Sequence, residues 1–265
     1  MSDITIHFAH ANGFPAASYR QLFSNLKTPH KLIAIDKFAH NPRHPLNDNW
    51  ENQVVELIEF IEQSSTRPVL GIGHSFGAVI TYMSACKRPD LFSGVIMLDP
   101  PLITGLARYI FRFAKANRLI NTLTPAGITQ HRARKWHLEH DLHAYFSKKS
   151  LFKDFDPACI QDYIEAVIEK GSDSKQLNFE VETEANIFRT IPHNLHTYKN
   201  QLKTPTVLLT GKHTKVCVPV LRRPFLRANK AIRHVEFDSG GHMFPLEHPK
   251  KLALLIDELI RTRLS

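Results

Sequence analysis

The sequence predicts an α/β fold in which a mostly parallel sheet of about six strands is wrapped by helices and carries a helical cap insertion. Six short apolar runs alternate with helix-period segments, the pattern of a parallel sheet covered on both faces. Between residues 102 and 198 the strand-like runs stop and helix-period segments replace them. We therefore expect a core of residues 1–101 and 199–265, with residues 102–198 as a cap over one edge.

The predicted strands are short and rich in β-branched and aliphatic residues. They are Ile4–Phe8, Lys31–Asp36, the run from Pro68 into Ser75, Gly94–Asp99, Thr206–Thr210 and Arg233–Phe237. The predicted helices place their apolar residues on one face. They are Ser18–Leu26 with Ser18 as its cap, Trp50–Gln63, the segment from Ser75 to about Cys86, Leu106–Leu119, His131–Phe146, Pro157–Lys170 and the closing segment from His248 to Thr262.

Composition indicates an ordinary globular protein, with 43% hydrophobic and 22% charged residues in a chain of 265. No apolar run reaches the ~18 residues of a membrane span, and the N-terminus enters a strand without a basic or long apolar leader. The three cysteines are widely spaced, which is typical of reduced thiols. We expect a cytoplasmic protein without a membrane span.

The charge of the chain is +9 and unevenly spread. Residues 101–150 hold nine Lys and Arg against two acids, whereas residues 151–200 hold five against nine. A basic surface can attract nucleic acid, an anionic membrane or acidic substrates. The chain contains no recognisable nucleic-acid module and no long basic run, so we expect a solvated basic face and no nucleic-acid partner.

The segment Gly73–Gly77 reads Gly-His-Ser-Phe-Gly and joins a predicted strand to a predicted helix. In a G-x-S-x-G turn the serine takes a strained backbone conformation, and the flanking glycines keep β-carbons out of the tight contact between strand and helix. Ser75 would then sit at a helix N-terminus, where developing negative charge is favoured. The alternative is a glycine-rich turn with a passive serine. We predict that Ser75 is a nucleophile.

A serine hydroxyl is a poor nucleophile unless a base takes its proton and an acid orients that base. His242 follows the strand that ends at Phe237, after Gly240 and Gly241. This loop begins at the carboxyl edge of the sheet, where reactive groups of such folds gather. We predict that His242 is the general base.

Together these motifs resemble the α/β-hydrolase fold superfamily, in particular its cap-bearing serine esterases and lipases. The resemblance covers nearly the whole chain and includes the order nucleophile, acid, histidine. Members commonly carry a His-Gly-x-Pro loop after an early strand. The matching residues are Asn12–Pro15, with Asn12 in the place of the histidine. The match implies that the backbone N–H groups of Phe14 and Phe76 form the oxyanion hole; the alternative for the loop is an ordinary turn.

The resemblance places the triad acid in a Gly-x-x-Asp loop before the histidine strand, but the sequence there reads Gly211-Lys-His-Thr214. Thr214 supplies no charge. Related enzymes sometimes take the acid from the end of the strand after the nucleophile helix, where Asp99 lies. We predict that Asp99 is the acid; the alternative is a polar strand terminus. Asp238 is a second candidate, close in sequence to His242.

Two other features of the insertion suggest sites. His137, His140 and His143 recur every third residue of a predicted helix, but without the His-Glu-x-x-His pattern we interpret them as a solvated face and expect no metal and no cofactor. The basic, amphipathic segment 106–115 could lie on a membrane surface or pack as a lid. In the lid model a set of aromatic residues lines an apolar pocket. They are Tyr109, Phe111, Phe113, Trp136 and Phe146.

The function predicted from these residues is hydrolysis of a carboxylic ester through a Ser75–His242–Asp99 triad and an acyl-enzyme. The substrate would be a small molecule with an apolar portion. Thioesters, C–C bonds and acyl transfer stay open, because the pocket rather than the triad selects among them. A second hypothesis is a binding protein on a hydrolase scaffold, suggested by the missing carboxylate at Thr214.

Overall fold

A computed structural model describes residues 4–262 and has a six-stranded central sheet in the order β2-β1-β3-β4-β8-β9. Every neighbouring pair in it is parallel, which confirms the predicted fold class. A second sheet, in the order β5-β7-β6, is antiparallel. The strands are β1 (Ile4–Ala9), β2 (His30–Ala34), β3 (Val69–His74), β4 (Phe92–Leu98), β5 (Lys135–His137), β6 (Ile168–Lys170), β7 (Ser174–Leu177), β8 (Thr206–Gly211) and β9 (Ile232–Phe237).

Helices cover both faces of the central sheet, and further helices lie in the insertion between β4 and β8. They are α1 (Arg20–Ser24), α2 (Glu51–Ser64), α3 (Phe76–Lys87), α4 (Ala107–Ala116), α5 (Ile120–Leu123), α6 (Ala126–Thr129), α7 (Leu142–Ser147), α8 (Pro157–Val167), α9 (Val181–Arg189), α10 (Pro219–Ala228), α11 (Phe244–Glu247) and α12 (Pro249–Arg261). The predicted helix at Ser18–Leu26 is shorter than expected. A 3₁₀ turn spans Ala16–Tyr19, and Ser18 is buried and caps nothing.

The core forms two apolar layers, one on each face of the sheet. Alternate residues of a strand point to opposite faces, and Ile6 and Phe8 therefore lie in one layer, with Leu22 of α1 and Ile256 of α12. The other layer contains side chains of α2 and α3 packed under Met97. Burial on both faces explains why the inner strands β3, β4 and β8 are mostly apolar.

The insertion is defined here as residues 99–205, between β4 and β8. It was predicted to be helical, but it also contains strands. It holds α4–α9 and the antiparallel sheet. The expected helix at His131–Phe146 is wrong over its first half, because Lys135–His137 pairs with β7. Trp136 is buried between two exposed residues there, which is the alternation of a strand. The end of the predicted helix Pro157–Lys170 likewise becomes β6.

A buried histidine in β1 makes the stability depend on pH. His7 is fully buried against the edge of the Phe60 ring, with centroids 5.6 Å apart, and among the described residues neither of its ring nitrogens has a hydrogen-bond partner. Burial lowers the pKa of His7 from 6.5 to about 3, with a smaller contribution from nearby His10. Below pH 6.5 His7 therefore binds a proton in the unfolded chain but not in the folded protein. The free energy of unfolding falls as the pH drops toward 3.

We expect the variant His7→Phe, which keeps the ring and removes the titration, to lose less stability in acid. The difference in slope of unfolding free energy against pH should be about 1.4 kcal/mol per pH unit between pH 6 and pH 4. Urea unfolding at a series of pH values measures it, and above pH 7.5 the two curves should run parallel. Equal slopes in the acid range would contradict the prediction. Carboxylates such as Glu56, whose pKa burial raises to about 7, titrate in both proteins and cancel in the difference.

Candidate active site

Ser75 occupies the turn between β3 and α3 in a strained conformation. Its φ of 54° and ψ of −117° lie outside the regions that side chains prefer. The turn is held because the Ser75 N–H donates to the Leu98 carbonyl at 2.8 Å. A β-carbon on Gly73 would overlap the Gly77 carbonyl oxygen, and one on Gly77 would overlap the Ala9 carbonyl oxygen. Glycine is therefore required two residues before and two residues after Ser75.

Ser75, His242 and Asp99 form a connected chain of hydrogen bonds. His242 Nε2 lies 3.0 Å from Ser75 Oγ, and His242 Nδ1 lies 2.7 Å from Asp99 Oδ2. A carboxylate only accepts, so Nδ1 carries the proton and the Nε2 lone pair faces the serine hydroxyl. This is the tautomer that a general base requires. Asp99 is fully buried, whereas Ser75 is partly exposed.

Asp99 is held in place by β8 and the loop that follows it. It has a φ of 45°, and its N–H donates to the Leu209 carbonyl at 2.8 Å. Its Oδ1 accepts the Gly211 N–H at 3.3 Å, and its Oδ2 accepts the Thr214 hydroxyl at 2.6 Å. Thr214 therefore supports the carboxylate that the sequence lacks at that position. The sequence signal for this contact is the place of Thr214 at the last position of the Gly-x-x-Asp pattern.

Asp238, the second candidate for the acid, lies elsewhere. Its exposed carboxylate pairs with Lys251 of α12 at 2.5 Å and accepts the Ser239 hydroxyl at 3.2 Å. The His242 ring is bonded to Asp99 instead. The structure thus favours Asp99 over Asp238 on geometry.

The two expected oxyanion donors differ. Phe76 is the first residue of α3, and within residues 4–262 its N–H has no hydrogen-bond acceptor. The Phe14 N–H differs from the expectation of a free donor, because it donates to the Ala11 carbonyl at 3.0 Å. This bond closes a turn through Gly13, whose φ of 76° suits glycine. Phe14 could donate to an oxyanion only by sharing its proton with Ala11 or by leaving the turn.

A buried polar chain joins this loop to the histidine loop. Tyr19 Oη accepts the Ala11 N–H at 3.4 Å and lies 2.7 Å from His74 Nδ1, while His74 Nε2 lies 2.9 Å from the His242 carbonyl oxygen. Because a carbonyl accepts, Nε2 donates and Nδ1 accepts from Tyr19. Burial lowers the pKa of His74 well below its usual value, so the ring is neutral. His74 therefore fixes the backbone position of His242.

The insertion contacts the loop Asn12–Pro15 directly. The Asn12 side chain, in the place where the resemblance expects histidine, donates to the Glu184 carbonyl at 2.8 Å. Arg132 Nη1 contacts the Glu184 carboxylate at 2.7 Å, and Arg132 Nη2 donates to Tyr163 Oη at 2.8 Å. Burial raises the pKa of Glu184 even beside Arg132. The loop that carries Phe14 is thus held partly by the insertion.

The structure differs from the sequence predictions of a helix face that carries three histidines and of one aromatic pocket in the insertion. His137 ends β5 and His143 lies in α7, so the three histidines do not share a helix face. No group of three His, Cys, Asp or Glu placed to hold a metal ion occurs in the described part of the chain. Trp136 and Phe146 are buried in the layer that contains Phe14, whereas Tyr109 and Phe113 of α4 point to solvent. The predicted aromatic set therefore does not line one pocket.

The fold and the strained serine turn define the class of protein. The model of the alpha/beta hydrolase family matches residues 8–253, and the chain belongs to this family. Its structure is similar to that of E-2-(acetamidomethylene)succinate hydrolase, with a TM-score of 0.77, 16% identity and coverage of 98% of this chain and 91% of the other. At that identity the likeness concerns the fold alone.

Six curated relatives are similar in sequence. Karrikin insensitive 2 receptor IA of Petunia hybrida is 21% identical over 93% of this chain and 86% of its own length. A monoglyceride lipase homolog of Monkeypox virus is 22% identical over 51% of this chain and 55% of its own length. Matches to four curated relatives span only 32–55% of those proteins. Within residues 4–262 no helix is long and apolar enough to cross a membrane.

Proposed function

We propose that the protein is a serine hydrolase that cleaves a carboxylic ester through an acyl-enzyme on Ser75. The observation that carries the proposal is the chain of hydrogen bonds from Ser75 Oγ through His242 to the buried Asp99, at 3.0 and 2.7 Å. The three side chains come from three separate loops at the carboxyl edge of the sheet. Membership of the hydrolase family supports the same reaction class.

In the proposed mechanism Ser75 Oγ attacks the ester carbonyl carbon as His242 Nε2 takes the hydroxyl proton. The resulting imidazolium is stabilised by the Asp99 carboxylate, and the oxyanion accepts the free Phe76 N–H at the N-terminus of α3. The tetrahedral intermediate collapses and the alcohol leaves with the proton from His242. Water, deprotonated by the same histidine, then attacks the acyl-enzyme and releases the carboxylic acid and Ser75.

The bond that is cleaved depends on the pocket, because the same triad serves thioesters, C–C bonds and acyl transfer. We propose an ester with an apolar portion, with residues 102–198 as the cap that selects it and the cytoplasm as its location. The lipase homolog among the relatives supports the ester. The receptor homolog favours the alternative of a binding protein on this scaffold. That alternative was suggested by the absence of a carboxylate at position 214. The Asp99 carboxylate, which contacts His242 Nδ1, weakens this reason.

A fluorophosphonate probe tests the proposal, because phosphonylation requires an activated serine. We expect the folded protein to be labelled on Ser75, as shown by mass spectrometry of the peptide that contains it. Heat-denatured protein is the control and should not react. A folded protein that stays unlabelled would support the binding protein and overturn the hydrolase.

A further inference from the structure

Helix α4 carries an apolar stripe on its solvent side. Its members are spaced i, i+3, i+4 and i+7, which places them on one face of the helix. They are Leu106, Tyr109, Ile110 and Phe113, with exposed fractions of 80, 55, 57 and 62%. Ala114 is the buried residue of this helix. The amphipathic pattern that suggested a lid helix therefore faces water.

The stripe continues along the next two helices. Helix α5 packs on α4 and α6 on α5, and each adds exposed aliphatic side chains. Leu119 precedes α5, and Leu123 and Ile128 follow, with exposed fractions of 51, 47 and 83%. Of the twelve large apolar residues exposed in the described chain, seven lie in the segment 106–128. A concentration of this kind marks an interaction surface rather than scattered exposure.

The same segment is strongly basic. Residues 106–128 contain four Lys and Arg and no acid. Lys115 is engaged with Asp48 at 2.5 Å, but Arg112 and Arg118 are exposed and, within the described residues, pair with no carboxylate. The Arg108 guanidinium lies over the Tyr109 ring, 4.5 Å from its centroid, beside the stripe. The apolar face is therefore flanked by uncompensated positive charge.

We propose that the segment 106–128 docks on a bilayer that contains anionic lipids. Apolar side chains on one face with arginines beside them are the features by which amphipathic helices lie in a membrane interface. A second copy of the chain is a poorer occupant, because a two-fold interface would bring the arginines of both copies together. The insertion leaves the sheet after β4, at the carboxyl edge of the sheet where Ser75 lies.

Flotation with lipid vesicles tests the docking, and the variant Ser75→Ala serves as the parent protein so that binding is read independently of catalysis. We expect it to float with phosphatidylcholine vesicles that contain phosphatidylglycerol, less with phosphatidylcholine alone, and less at high salt. Adding Ile110→Gln and Phe113→Gln should lower the partition coefficient at least about tenfold, since each removes a side chain from the bilayer. Adding Arg112→Gln should lower it about fivefold.

The matched control is Leu254→Gln, which removes an equally exposed apolar side chain from α12 and should leave flotation unchanged. Circular dichroism verifies that each variant is folded. Failure to float with the anionic vesicles, or equal flotation of the Ile110/Phe113 variant, would overturn the proposal. If the parent does not float but sediments as a dimer, and the Ile110/Phe113 variant sediments as a monomer, the surface would be assigned to a second copy instead.

Discussion

Replacing Ser75 with alanine is expected to lower kcat for p-nitrophenyl butyrate by 10⁴-fold or more, on the order of what nucleophile removal costs in serine hydrolases. The variant keeps His242, Asp99 and the Phe76 amide, but it has no atom with which to form the acyl-enzyme. The measurement is the release of p-nitrophenol under saturating substrate. Since alanine fits the serine position without added volume, the fold should survive, although the strained φ of 54° persists.

The control for this experiment is Ser239→Ala. Ser239 lies three residues before His242, and its hydroxyl bonds only the exposed Asp238 among the described residues. Its removal should leave kcat within about twofold, as expected for a surface hydroxyl. Equal rates in the wild type and in Ser75→Ala would show that any esterase activity arises elsewhere and would reject the proposed mechanism.

Replacing Asp99 with asparagine is expected to lower kcat by about 10⁴-fold while the protein stays folded. In the wild type, Oδ2 accepts hydrogen bonds from both His242 Nδ1 and the Thr214 hydroxyl. If the amide turns its NH₂ group toward His242, Nδ1 must accept the hydrogen bond, the ring proton moves to Nε2, and His242 cannot act as a base. If the amide turns its oxygen toward His242 instead, that oxygen carries no negative charge. Either way the imidazolium loses its carboxylate. The measurement is again kcat with p-nitrophenyl butyrate.

Two further variants make the test of Asp99 specific. Asp238→Asn removes the rival carboxylate, which is occupied by Lys251, and should leave kcat unchanged. Thr214→Val removes one hydrogen bond to the Asp99 carboxylate and should lower kcat about tenfold, the effect of losing one hydrogen bond to a charged group. If Asp99→Asn kept kcat within about threefold of the wild type, the acid would have to lie elsewhere.

All six strands of the central sheet could be predicted from sequence, because a buried parallel sheet demands apolar runs of a recognisable length. The antiparallel sheet of the insertion was missed for a physical reason. Strands of three or four residues, such as Lys135–His137, are too short to show a period, and their pairing with Ser174–Leu177 joins segments about forty residues apart. The burial of Trp136 depends on that pairing and not on its neighbours in sequence.

By itself the sequence determined the elements that depend on local geometry. The turn around Ser75 requires Gly73 and Gly77 because their β-carbons would overlap backbone atoms, so the motif carries its own structural reason. The loop that presents His242 was recognisable in the same way. Local constraints of this kind involve residues that are close together in the sequence, so they can be recognised there.

Only the tertiary structure decided which groups meet. A carboxylate is needed at His242 Nδ1, but the sequence does not say which strand supplies it. Asp99 and His242 are separated by 143 residues in sequence, and the strand order of the sheet brings them together. The engagement of the Phe14 amide with Ala11 and the outward face of α4 are likewise results of packing. Spacing predicts that a helix is amphipathic, whereas the rest of the fold determines whether its apolar face is covered or left to water.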